Sequence, residues 1–249
     1  MAHLAPPALS FLPLSSYISD KHRNQTESLT WYGEGRLFPL HPHDTLFNDR
    51  YIITHKLDHT PTSTSWLARD TLNNVWRRVD VILASRDITR SHAEGAERQL
   101  KQRADQPSVE AANAQGLLLE TFYERSPNGV HLCMVFPLNG AGNCFRWDVR
   151  DDSHMSEAWF VRRCAALRGK RGVAAPECVH EIAEGEMSVI LAGGRQKAIE
   201  VDDALREVVG LEEGDREDDE LPRYLVLRPE RLGVETEYWL SDAAFARKK

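Results

Sequence analysis

Two apolar runs joined by Ser126-Pro-Asn-Gly129 constrain this chain more than any other feature. Leu117–Tyr123 and Val130–Phe136 carry the aromatic and branched residues that suit a pleated surface, and the Gly between them readily accepts positive φ. That combination predicts an antiparallel hairpin. An isolated hairpin is marginal in water, so further strands are required. The sequence supplies them upstream. Arg50–Leu57 and Thr64–Arg69 read as one strand pair, and Val75–Leu83 reads as a third strand after the polar turn Asp70–Asn74. Between the third strand and the Ser126–Gly129 hairpin, Glu94–Arg103 is rich in good helix formers and reads as a short helix. The predicted order is strand, strand, strand, helix, strand, strand, an α+β arrangement built on an antiparallel sheet.

Bulk properties narrow the function classes. Within 249 residues, 41% are hydrophobic and 28% charged, which suits a packed domain with a solvated surface. A net charge of −7 argues against a general nucleic-acid binder. No apolar run approaches the roughly 20 residues that span a bilayer. Residues 1–30 are broken by Pro6, Pro7 and Pro13 and lack the basic start of a secretory signal, so they read as a flexible leader. Cys133, Cys144, Cys164 and Cys178 show no C-x-x-C spacing, which disfavours a zinc or redox motif. Reduced thiols imply a cytoplasmic or nuclear setting. His41-Pro-His43 lacks a spaced third ligand and reads as loop.

Taken in order, Tyr51-Ile-Ile-Thr-His-Lys-Leu, Thr64-Ser-Trp-Leu-Ala-Arg-Asp70 and Phe122–Phe136 resemble the small lobe of the SR-protein-kinase-like serine/threonine kinases found in fungi. The resemblance implies a protein kinase-like fold over residues 31–140, with a partial, mainly helical large lobe over 141–249. It also implies ATP and Mg2+ as cofactors. Phosphoryl transfer is chiefly positioning and electrostatic stabilisation, so each part that such chemistry needs has a position to inspect.

The glycine loop of the family, Leu-Gly-x-Gly-x-x-Ser-x-Val-Trp-Leu-Ala-Arg-Asp, corresponds to Leu57–Asp70. Here the glycines are absent and Asp58 and Pro61 enter the loop. Thr62, Ser63 and Thr64 remain as hydroxyl donors toward phosphates. The Tyr-Val-Ala-Leu-Lys strand corresponds to Trp76-Arg-Arg-Val-Asp80, which puts Asp80 at the lysine position. A register shifted by two puts Ile82 there instead. Arg78 shares a face with Asp80 by strand alternation and is the one credible substitute cation. Glu97 aligns with the helix glutamate that would hold the lysine, with Glu94 next in line.

The second half carries fainter signals. Ser156–Arg168 predicts a helix, Val179–Leu191 short strands, and Val201–Leu211 a helix led by Asp202 and Asp203. Glu212–Glu220 is an acidic run with Arg216 as its sole cation, which reads as a solvated loop. In the catalytic-loop position, Val179–Leu191 offers His180 but puts Ile182 where the proton-accepting aspartate belongs. Glu181 and Glu184 are displaced base candidates. Leu221-Pro-Arg-Tyr-Leu-Val-Leu-Arg-Pro229 resembles the family segment that precedes the metal-binding motif, and Asp242 then stands as the metal ligand. By the same resemblance the activation segment lies beyond Lys249.

The sequence therefore predicts a kinase-like chain that is catalytically impaired and acts by binding a protein partner through exposed large-lobe surface. The alternatives are an active serine/threonine kinase acting on Arg/Ser-rich proteins, and an unrelated α+β interaction module. Neither nucleic acid nor membrane is expected as a partner.

Overall fold

The computed structural model describes residues 9–18, 26–114, 116–137, 196–212 and 214–227. Its centre is a six-stranded sheet in the order β2-β3-β4-β5-β7-β6. The strands are β2 (Thr45–Leu46), β3 (Tyr51–Thr60), β4 (Ser63–Asp70), β5 (Val75–Ile82), β6 (Glu120–Ser126) and β7 (Gly129–Pro137), and all pairings are antiparallel. The expected sequence of elements is present, with a long helix α2 (Arg86–Ala104) between β5 and β6. A short helix α3 (Val109–Ala114) follows it. The helix begins before Glu94, because Arg86–Ala93 continues the same helical run.

Local chemistry explains the turns. Gly129 holds φ +130°, and a Cβ there would lie 2.9 Å from the Ala84 side chain, so both backbone conformation and space select glycine. At the β4–β5 turn, Asp70 accepts hydrogen bonds from the Leu72 and Asn73 amides and from Asn73 Nδ2, while Arg50 pairs with its carboxylate at 3.0 Å.

The two faces of the sheet are covered differently. One face carries Tyr51, Ile53, Trp66, Val79, Val81, Cys133 and Val135, packed beneath Leu40, Leu46 and Val226. On the other, Ile82, Leu132, Met134 and Phe136 meet Ala96 of α2, with Ala93 and Leu100 beside it. Helix α2 thus covers only the β5–β7 part of its face.

Much of what the sequence presents as leader is built into the fold. β1 (Ser10–Phe11) runs parallel to β8 (Lys197–Glu200), which pairs with β9 (Tyr224–Val226) in a second sheet. Helix α1 (Leu14–Ile18) and the 3-10 turn Leu29–Trp31 lie in the same region, with Leu29, Tyr32, Leu37, Ile199, Leu205 and Leu225 forming a buried cluster. Helix α4 (Asp203–Val208) is shorter than the expected Val201–Leu211, and Asp202 is its N-cap through a bond from the Leu205 amide. The acidic run is largely solvated as expected, and Arg216 tucks against Gly33. No helix among the described residues is long and apolar enough to cross a membrane.

Candidate functional site

The helix-side face of β3–β5 that α2 leaves open carries Arg78 and Asp80 among the candidate residues. Strand register settles which of them meet. Asp58, Ser65, Asp80 and Met134 form one row across the sheet, and His55, Leu67, Arg78 and Phe136 form the next. Arg78 and Asp80 therefore share a face, as alternation predicts, and their side chains pair at 3.1 Å. The Arg78 guanidinium also lies over the Phe136 ring, 4.2 Å from its centroid, a cation–π geometry.

The electrostatics of this pair are uneasy. Burial pushes the Asp80 carboxyl above its usual range, and the neighbouring Asp58 adds to that; Arg78 and a hydrogen bond with Ser65 pull the other way without prevailing. The Arg78 Nε–Asp80 Oδ1 contact is an ion pair without a well-aligned hydrogen bond. His55, on the adjacent row, is held neutral by burial, which lowers its pKa to about 4.

The hairpin tip closes on itself. Pairing continues to Thr60 opposite Ser63, leaving only Pro61 and Thr62 as the turn. Thr60 Oγ1 lies 2.9 Å from Ser63 Oγ and 3.3 Å from Thr62 Oγ1 and accepts from the Thr62 amide. Thr64 is buried, and its hydroxyl accepts from Trp66 Nε1 at 3.0 Å. The three hydroxyls singled out in the sequence therefore do not converge on a common point.

Glu97 points away from the sheet. Its side chain is 67% exposed and pairs with Lys101 at 2.8 Å, one turn along α2. Glu94 does likewise with Arg90 at 3.3 Å. What α2 turns toward the sheet is Ala96, flanked by Ala93 and Leu100. Glu181, Glu184 and Asp242 lie outside the described residues, as do the helix expected over Ser156–Arg168 and the strands expected within Val179–Leu191.

Sequence reasoning missed the strongest polar cluster, which lies on the opposite face. Lys56 of β3 is fully buried, ion-paired with Glu27, and 5.6 Å from the Trp66 ring centroid. The Tyr32 hydroxyl donates to the other Glu27 oxygen at 2.6 Å. The Gln196 side-chain amide accepts from the Lys56 N–H and donates to the Lys56 carbonyl, replacing a neighbouring strand where β2 has ended. Burial disfavours both charges: it lowers the Lys56 pKa, whereas at Glu27 attraction from Lys56 and His59 and the bonds from Lys56 and Tyr32 outweigh it.

His41 is committed to local contacts. Its Nε2 accepts from the Arg223 amide at 2.9 Å, its Nδ1 faces Asp44 at 3.5 Å, and no group of three or more candidate ligands occurs among the described residues. Cys133 is a free, buried thiol whose pKa burial raises.

No family model matches the chain. Over 130 residues it is 33% identical to the serine/threonine-protein kinase SKY1 of Saccharomyces cerevisiae, covering 49% of this chain but 17% of that protein's length. A solved kinase-domain structure is also similar, at 20% identity and a TM-score of 0.34 over 40% of this chain and 27% of that one, which is too distant to add to the fold described above.

Proposed function

We propose that this chain, which is SR-protein-kinase-like in sequence, is a non-catalytic kinase-like module that takes no nucleotide and acts by binding a protein partner. The observation that carries this reading is that neither position the resemblance allows for the family's lysine holds a cation: Asp80 is ion-paired with Arg78, and Ile82 is buried against Ala96. A triphosphate is a concentrated anion. It needs a cation and open backbone N–H groups, and a desolvated carboxylate repels it.

The residues present do not fit ATP and Mg2+. Arg78 is engaged by Asp80, Arg69 on the same face lies over Trp76 and bonds Asn74, the hairpin tip is closed by its own hydroxyls, and Glu97 is turned to solvent with Lys101. Losses of this kind each cost orders of magnitude in rate. The binding role assigned to 141–249 falls mainly on residues outside those described, and SKY1's own activity is that of a protein about six times as long as the matched segment.

Calorimetric titration of the full chain with Mg-ATP tests the reading. The expected result is no saturable heat up to about millimolar nucleotide, with no label transferred from ATP to an Arg/Ser-rich peptide. Micromolar affinity, or turnover that Asp242→Ala abolishes, overturns it.

A further inference from the structure

The sheet edges of this fold are guarded unequally. At one end of the main sheet β2 is only two residues long, and past it the Gln196 side chain bonds both backbone groups of Lys56. The second sheet ends in β1 and β9, of two and three residues. The other end of the main sheet is β6, seven residues long, and no described strand pairs with its far side. An edge of that length offers a row of backbone donors and acceptors to another chain. We propose that β6 is a self-association surface, on which a second copy of this chain adds its own β6 antiparallel across a two-fold axis through Tyr123. Such a surface is independent of the nucleotide question and goes beyond the function proposed above.

The common guards of an edge strand are missing from β6. It contains no proline, and its register with β7 runs unbroken from Ser126–Gly129 to Glu120–Val135. Its two carboxylates lie on the core side: Glu120 bonds Arg50 and Tyr51, and Glu124 accepts from the Phe47 amide. Thr121, Tyr123 and Arg125 alternate to the opposite face, where α2 packs on β5 and β7 and leaves β6 uncovered. There Tyr123 is 58% exposed, and Val130, opposite Arg125 on β7, is 44% exposed.

The ladder sets which backbone groups face outward. The Leu83 amide bonds the Thr62 carbonyl, so the odd-numbered residues of β5 bond β4 and its even-numbered residues bond β7. Carried one strand further, Glu120, Phe122, Glu124 and Ser126 bond β7, and the amides and carbonyls of Thr121, Tyr123 and Arg125 point away from the sheet. A two-fold axis through Tyr123 pairs all seven residues of one β6 with those of the other. It sets Arg125 opposite Thr121, Glu124 opposite Phe122 and Glu120 opposite Ser126, so no like charges meet. Moving the axis by one residue brings Glu124 against Glu124 or against Glu120, which disfavours those registers. In the Tyr123 register the two tyrosines form an aromatic cross-strand pair on the face that α2 leaves bare. The two-fold pairing occupies both edges, so it closes at a dimer.

Sedimentation velocity of the full chain over about 1–200 µM tests the proposal, a range suited to a small, transient interface. The wild type is expected to pass from monomer to dimer within it. Tyr123→Lys sets two ammonium groups side by side at the axis and should weaken the dimer about tenfold or more. Tyr123→Pro removes an outward amide without touching the bonds to β7, and should do the same. Amide exchange of the wild type should slow with rising concentration at Thr121, Tyr123 and Arg125 and stay unchanged at Phe122 and Glu124; this pattern decides the matter should either variant fold poorly. A wild type that stays monomeric overturns the proposal. So does a dimer that survives both substitutions, or one whose added protection falls outside β6.

Discussion

The same sheet carries a lysine–glutamate pair on one face and an arginine–aspartate pair on the other, and they solve burial in opposite ways. Lys56 and Glu27 are 0% and 3% exposed, and polar neighbours join in: Tyr32 bonds the second carboxylate oxygen and Gln196 satisfies the Lys56 backbone. Arg78 and Asp80 are each 20% exposed, and Asp80 has a raised pKa and a misaligned contact. A completed network inside a core specifies one arrangement; an incomplete one at the edge of solvent leaves a carboxylate that the fold does not favour. The first pair is architecture. The second occupies the face where chemistry is expected.

Breaking the buried pair gives the largest predicted effect. Lys56→Met leaves Glu27 charged and enclosed, and urea denaturation is expected to show a loss of about 3–5 kcal/mol. Hydrogen exchange should accelerate around Leu29 and Leu205, because Glu27 ties that cluster to β3. A loss below about 1 kcal/mol would mean that the pair behaves as a surface ion pair, and the contrast with Arg78–Asp80 would collapse.

Acid separates the pairs by sign. Glu27 has a folded pKa below its ordinary 4.5, so its contribution is fully present above 4.5 and is lost as pH falls through the lower folded value. Asp80 is raised above its ordinary 3.8, so its penalty is absent below 3.8, grows as pH climbs, and is complete above the raised folded value. Acidification should therefore act on the two in opposite senses, relieving the Asp80 penalty and removing the Glu27 contribution. Asp80→Asn is expected to remove the stabilising effect of acid and to match or exceed the wild-type stability near neutrality by up to about 1 kcal/mol. A clear drop in stability for that variant would show that its charge is favourable where it stands.

The small lobe was legible because its signals are local. Ser126–Gly129 and Asp70–Asn74 close turns between strands adjacent in sequence, and both hairpins appear close to where the sequence puts them. Arg78 and Asp80 were placed on one face by simple alternation, and they are. Lys56 escaped because alternation fails in β3. Counting from Tyr51 and Ile53 puts His55 and Leu57 inward, but the register shift between Ile53 and His55 flips the phase and turns Lys56 into the core. Its partners were equally hidden, since Gln196 lies 140 positions away and Glu27 sits in a stretch that composition marks as leader. Pairings such as β1 with β8 depend on contacts between distant segments, for which no turn signal exists.

The smallest predicted effect concerns Glu97, the residue whose alignment was most suggestive and whose placement is least so. A glutamate that holds a cleft cation must face the sheet, yet α2 directs Ala96 there and leaves Glu97 paired with Lys101 in solvent. Lys101 hydrogen-bonds the carboxylate and lowers its pKa, but a single exposed pair one helical turn apart is screened by water and salt. Glu97→Gln should therefore leave the urea midpoint within experimental scatter. A loss of about 1 kcal/mol or more would show that the Glu97–Lys101 pair does more than an exposed ion pair can.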